Sequence, residues 1–162
     1  MPFDADAVAA AESLRLTSFT SLTAHTLGDL IRTHIRANFP DQPAVVQITA
    51  GSSEQLLYFS VCADGTQLDN RYWVERKRRA VVRWGKSTAG LRCKWTDGLV
   101  PSYYSAGEDE YAIHGGGFPL RVQGVEPLVA VVIVSGLSQE DDHQCIADVL
   151  AKFIKDQEPL AK

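Results

Sequence analysis

The sequence predicts an α+β fold in which a five-stranded antiparallel sheet is flanked by helices, within a single domain spanning residues 1–162. Three observations carry that expectation. Five short stretches are rich in β-branched and aromatic residues, most of them are joined by short turns, and helical periodicity is confined to the start, middle and end of the chain. A doubly wound parallel sheet would need strand and helix to alternate, and they do not. The 162 residues suit one domain. With 45% hydrophobic and 22% charged residues, the composition is that of a chain that buries a core.

Taken in order, the first dozen residues form a weak helical stretch, and Leu14, Leu16 and Ser18 then alternate with polar neighbours in a short strand ending near Phe19. Thr20 or Ser21 caps a helix in which Ala24, Leu27, Leu30, Ile31, Ile35 and Phe39 recur on one face until Pro40 stops it. His25 and His34 lie on this helix as structural or solvated residues. Ala44–Ala50 and Leu56–Cys62 read as a hairpin across Gly51–Gln55. Asp69 is placed to cap a helix reaching Trp84, with Gly85 past its end. On that helix Trp73, Ala80, Val81 and Trp84 form the packing side, which turns Lys77, Arg78 and Arg79 mostly elsewhere. Residues 86–111 have poor periodicity and predict a long excursion with one short helix. Phe118–Gln123 and Leu128–Ser135 are the last two strands, the second apolar throughout as a central strand is. Ser138, with Asp141 three residues on, caps a final helix whose face is Ile146, Val149, Leu150, Phe153 and Ile154.

Composition also narrows function. Cys62, Cys93 and Cys145 are an odd number at wide spacing, neither a disulfide framework nor a zinc ligand set, and read as reduced thiols. The N-terminus carries acids and no basic region before its alanines, unlike a signal or transit peptide. The longest apolar stretch, Val129–Val134, is far short of the roughly 20 residues of a spanning helix. Together these predict a cytoplasmic protein with no membrane partner. Net charge is −4, but residues 71–94 hold nine basic residues against one acid, a segment of +8 facing −12 elsewhere. Such segregation fits an anionic ligand or the protein's own acidic surfaces. Nucleic acid is the weaker match, because the whole chain is acidic and the basic helix has no groove-reading motif.

The least ordinary segment is His114-Gly115-Gly116-Gly117-Phe118. Consecutive glycines can hold backbone N–H groups close to a ligand, or can make a tight bend into a strand. An HGGG run also serves as the oxyanion loop of some esterases, but that chemistry needs a G-x-S-x-G elbow, which the sequence lacks, and Ser135 in VSGLS has no first glycine. His114 has no second metal ligand at helical or turn spacing, His143 reads as a helix-surface histidine, and the acidic run Glu108–Glu110 reads as a solvated loop. No complete catalytic set emerges.

GGGFPLRV, a short hairpin, an apolar strand ending in Ser135-Gly136-Leu137, and Gln139-Glu140-Asp141-Asp142-His143 opening the last helix resemble the GlcG/HbpS-like superfamily, often called the haem-degrading domain family. Trp73-Val74-Glu75-Arg76-Lys77, followed by Val81, Arg83, Trp84 and Gly85, is similar to its branch in bacteria and fungi. The likeness runs from Leu14 to Phe153. It implies a profilin-like five-stranded sheet assembled as homodimers or higher closed oligomers. It further implies a haem or small-anion site at the positions matching the glycine loop and basic helix: His114, Gly115, Gly116, Gly117, Phe118, Arg76 and Lys77. No iron-ligating residue carries over, and His114 is the candidate at the loop. Three readings follow: a binder of haem or a small anionic ligand, a non-enzymatic scaffold or chaperone-like adaptor with a protein partner, and an enzyme whose site is assembled between subunits.

Overall fold

Asp4 opens the first helix, α1 (Ala5–Glu12), its carboxylate accepting hydrogen bonds from the Asp6 and Ala7 N–H groups, in a computed structural model that describes residues 2–157. Thr20 caps α2 (Ser21–Asn38) through a reciprocal box with Thr23. Strands β1 (Val45–Ala50) and β2 (Leu56–Val61) follow as a hairpin with a bulge between Ile48 and Thr49. Helix α3 (Leu68–Trp84) ends at Gly85, whose φ of 64° is the left-handed conformation a terminating glycine adopts freely. The cap before it is Gln67 rather than the expected Asp69, which lies in the first turn where its charge still suits the helix dipole. The excursion holds α4 (Thr88–Lys94) and a 3-10 turn at Ser102–Tyr104. Strands β3 (Gly117–Leu120) and β4 (Ala130–Ser135) precede α5 (Gln139–Gln157), with Ser138 and Asp141 exchanging hydrogen bonds at its start.

The sheet has four strands in the order β2-β1-β4-β3, all antiparallel. The expected first strand, Leu14–Phe19, contributes one parallel bridge, Leu16 to Val122, in which Leu16 N–H donates to Arg121 O at 2.8 Å and Gln123 N–H donates to Leu16 O at 2.9 Å. Five strands thus become four. The period-2 pattern around Leu14–Ser18 marks extended chain, but so short a segment between two helices makes only those two ladder bonds.

Alternation along each strand divides the core. Val46, Ile48, Tyr58, Phe118, Leu120, Val132 and Val134 face α2 and α5, where Leu27, Ile31, Ile35, Ile146 and Leu150 complete the larger cluster. Val45, Val131 and Ile133 face Val74 and Val81 of α3 on the other side. A third cluster joins Ala80, Leu91, Trp95 and Ile113, and packs Trp84, Tyr104 and Tyr111 edge-on around it. On α5 Phe153 is only partly buried, because the helix has by then run past the sheet.

Three polar placements differ from the sequence expectation, one of them Arg78, which is 9% exposed and held by Glu54 and Glu75. Lys77 lies on the packing side of α3 and is 2% exposed, and His143 is 3% exposed beneath Phe3 and Phe118 instead of on the helix surface. For Lys77 the reason is a partner. Its Nζ donates to Asp142 Oδ2 at 3.0 Å and to Val134 O at 3.1 Å, so that burial leaves no unpaired charge. His143 is buried because the N-terminal segment folds back: Phe3 and Val8 pack on Ala89, while Glu12 Oε1 accepts from Ser87 N and Oγ, both at 2.7 Å.

Candidate functional site

The glycine loop reaches β3 through a space too narrow for side chains. Gly116 has φ of 120°, and a Cβ there would run into Val134 O and lie 2.8 Å from Lys77 Nζ. A Cβ on Gly117 would meet Val81 and Thr88 at 2.8 and 2.9 Å, and one on Gly115 would strike Gln139 O and Phe3. The loop's polar groups are turned inward as well: Gly117 N–H donates to Thr88 Oγ1 at 2.9 Å, Gly115 N–H to Gln139 Oε1 at 3.4 Å, and Gly116 O accepts from Val134 N–H at 2.8 Å. Gly115, Gly116, Gly117 and Phe118 are buried, and Phe118 points into the α2/α5 side of the core. His114, immediately before them, is exposed.

His114 stands between two clefts. The first, of about 360 Å³, is walled by Arg76 and His114 together with Leu99, Val100, Tyr111 and Ile113. The second, of about 310 Å³, is polar and lies among the first turns of α3 and α5, with Asn70, Trp73, Lys77, His114, Gln139 and Asp142 in its walls. Trp73 links them. Its ring meets the His114 imidazole edge-on at 5.0 Å between centroids, and the Arg76 guanidinium lies 4.5 Å from the same ring. Spacing on α3 makes this arrangement, since Trp73, Arg76 and Lys77 are three and four residues apart and therefore adjacent on its surface.

The charges at the site are set by burial. Arg76 Nε is buried with no hydrogen-bond partner among the described residues. Such a donor is costly unless something outside the chain accepts from it. Although its side chain keeps contact with solvent, His114 is pushed below its ordinary value by partial desolvation first, then by the nearby Lys77, Arg76 and Arg92 charges, against the opposing pull of Glu108. Its imidazole is neutral at neutral pH, the form that accepts a hydrogen bond or ligates a metal. Burial pushes Lys77 down and Asp142 up, while each draws the other back toward its charged form. With Leu137 N–H donating to Asp142 Oδ1 at 3.0 Å, the two stand as a hydrogen-bonded ion pair.

Of the seven residues singled out in the sequence, Arg76 and His114 share the first cleft, and Lys77 and His114 share the second. The three glycines and Phe118 support the loop from inside. Trp73, Asn70, Gln139, Tyr111 and Ile113 complete the walls. A signal for Trp73 was present in its one-turn spacing before Arg76, whereas nothing local places the 98–114 excursion or the start of α5 against α3.

The chain is similar to known proteins in sequence and fold. The profile of a family described as haem degrading protein HbpS-like matches residues 19–151. The UPF0303 protein YBR137W of Saccharomyces cerevisiae is 32% identical over 138 residues, 85% of this chain and 76% of that protein. The crystal structure of Ybr137w covers 94% of this chain and 88% of its own at 30% identity, with a TM-score of 0.88. Crystal structures of HbpS and of a PduOC:haem complex each show 20% identity, with TM-scores of 0.64 and 0.61; they cover 88% and 85% of this chain and 94% of their own, and share its fold.

Proposed function

The chain belongs to the HbpS-like haem-degrading protein family, and on that premise we propose that it is a self-associating protein that binds a carboxylate-bearing, haem-related molecule in the Arg76–His114 cleft. The observation that carries this reading is the buried, unpartnered Arg76 Nε beside a neutral imidazole in one cleft. A guanidinium held against Trp73 is oriented for a carboxylate, and charge-assisted bonds of this kind are roughly twice as strong as neutral ones. The remaining walls, Leu99, Val100, Tyr111 and Ile113, suit the apolar body of such a ligand, and 360 Å³ lies within the range of small-molecule sites.

Haem fits these residues in two respects. Its carboxylates match Arg76, and its iron would accept the neutral His114 imidazole. One neighbour of the same fold is a haem complex, which supports the choice of ligand class. Bound there, haem would supply a redox-active iron centre. This chain's own contribution is to anchor a carboxylate at Arg76, present an imidazole at His114, and disfavour protonation of that imidazole through desolvation first and the Lys77 and Arg76 charges second. The glycines serve by bringing the backbone close enough to α3 and α5 for His114 to stand at the mouth.

Titration of the purified protein with haemin, followed by absorbance, tests the proposal. Wild type is expected to develop a histidine-ligated Soret band. His114→Ala should lose that band shape, and Arg76→Ala should bind about tenfold or more weakly, the scale of one charged hydrogen bond. A porphyrin diester without free carboxylates should be insensitive to Arg76→Ala. Wild type that takes up no haemin, or variants that titrate as wild type does, would overturn it.

A further inference from the structure

The second cleft, between the first turns of α3 and α5, has more hydrogen-bond donors than the chain itself uses. Asn70 Oδ1 accepts from Gln67 N–H at 2.8 Å, and Gln139 Oε1 accepts from Gly115 N–H at 3.4 Å. A backbone N–H can be met only by the oxygen of a side-chain amide, so each of these amides is fixed with its NH2 end left over. Neither Asn70 Nδ2 nor Gln139 Nε2 meets an acceptor among the described residues. Lys77 adds a third donor. Two of its three ammonium hydrogens go to Asp142 Oδ2 and Val134 O, and the last meets no acceptor among the described residues although the side chain is 2% exposed. A buried donor is rarely left so, because nothing then offsets its desolvation.

The acids of the same walls are accounted for. Asp142 Oδ1 takes Leu137 N–H at 3.0 Å and Oδ2 takes Lys77, so its charge is answered inside the chain. Asp69 is exposed at the rim, where water and salt screen it. At His114, which the cleft also touches, the field is positive, since Lys77, Arg76 and Arg92 act on the imidazole against Glu108. Spare donors and committed acceptors describe a pocket for a ligand that brings oxygens, and the field favours one that brings negative charge with them.

We infer that the second cleft binds the carboxylate of a short aliphatic acid, its oxygens held by Lys77 Nζ, Asn70 Nδ2 and Gln139 Nε2 and its alkyl body lying against Trp73 and Leu137. At about 310 Å³ the cleft stands at the small end of ligand sites, as suits so small a molecule. The site differs from the first cleft in what recognises the ligand: two amides and a buried ammonium in place of a guanidinium and an apolar wall. It needs neither haem nor a second copy of the chain.

Titration of the full chain with sodium acetate, against sodium chloride at matched ionic strength and followed by two-dimensional amide NMR, tests it. Acetate should shift the side-chain NH2 signals of Asn70 and Gln139 saturably, while that of Asn38, which donates to His34 O on α2, stays in place. Acetamide, of the same shape without the charge, should bind at least about tenfold more weakly. Asn70→Asp and Gln139→Glu keep the oxygen that Gln67 and Gly115 need and remove the NH2. Each should fold as wild type does and bind acetate at least about tenfold more weakly, read from the signal of the other amide. The inference is overturned by the absence of a saturable shift, by chloride or acetamide matching acetate, or by variants that titrate as wild type does. Acetate shifts confined to Arg76, Tyr111 and Ile113 would also overturn it while leaving the reading of the first cleft in place, and a failed haemin titration would leave this one in place.

Discussion

His143 shows what one misplaced proton would do to this molecule. Its imidazole is buried between Phe3 and Phe118, its Nδ1 has no partner among the described residues, and burial pushes it down against the weaker upward pull of Glu12 and Asp148. The native state therefore resists a proton that the unfolded chain accepts below about pH 6.5. Stability is complete above that pH and is lost as pH falls from it toward the depressed native value. Chemical denaturation at pH 7 and pH 5 should show the loss in wild type and less of it in His143→Leu. Gly116 gives a second test at this scale. With φ of 120° and no room for a Cβ beside Val134 O, Gly116→Ala should cost about 3 kcal/mol in urea melts, from strain of 1–3 kcal/mol and a displaced carbonyl. Glycine at this position was legible as a constraint on the backbone, but not its origin, since Val134 and Lys77 approach from distant segments.

Among the elements, the helices were the most legible, because their caps and periodicities are local. Thr20, Gly85 and Ser138 each stand where the chain's own hydrogen bonds begin or end a helix. Where the structure departs from the sequence expectation, tertiary partners are involved. Lys77, expected to point mostly elsewhere on the helix, stands four residues from both Trp73 and Val81 and so on the packing side, and Asp142, 65 residues on, is what makes its burial tolerable. The same distinction applies along α5, where Leu150 is fully enclosed and Phe153 lies beyond the sheet. Leu150→Ala should cost about 2–5 kcal/mol, as buried leucines do. Phe153→Ala should cost less than that, near 1–2 kcal/mol, since much of the ring already meets solvent. Equal losses at the two positions would contradict the burial pattern.

At the scale of the whole molecule, the Lys77–Asp142 pair joins α3 to α5 around the end of β4. Removing one partner, as in Lys77→Met or Asp142→Asn, should cost about 3–5 kcal/mol, because a buried charge is left alone, while the double replacement by Met and Leu should recover much of it. Thermal melts of the three variants would show that strong non-additivity if the pair acts as a unit. The charge segregation evident in the sequence is partly resolved by this pair and by Arg78, which bonds Glu54 and Glu75, both at 2.9 Å. The clasped glycine run has a kinetic consequence. Gly115 and Gly117 donate into the structure and Gly116 accepts from it, so the backbone carrying His114 is fixed before any ligand arrives. Entry needs no loop to order, and recognition should resemble a key meeting a lock already cut. Stopped-flow traces with a carboxylate ligand should then be single exponentials whose rate rises linearly with concentration, whereas a plateau would reveal a slow rearrangement that this anchoring forbids.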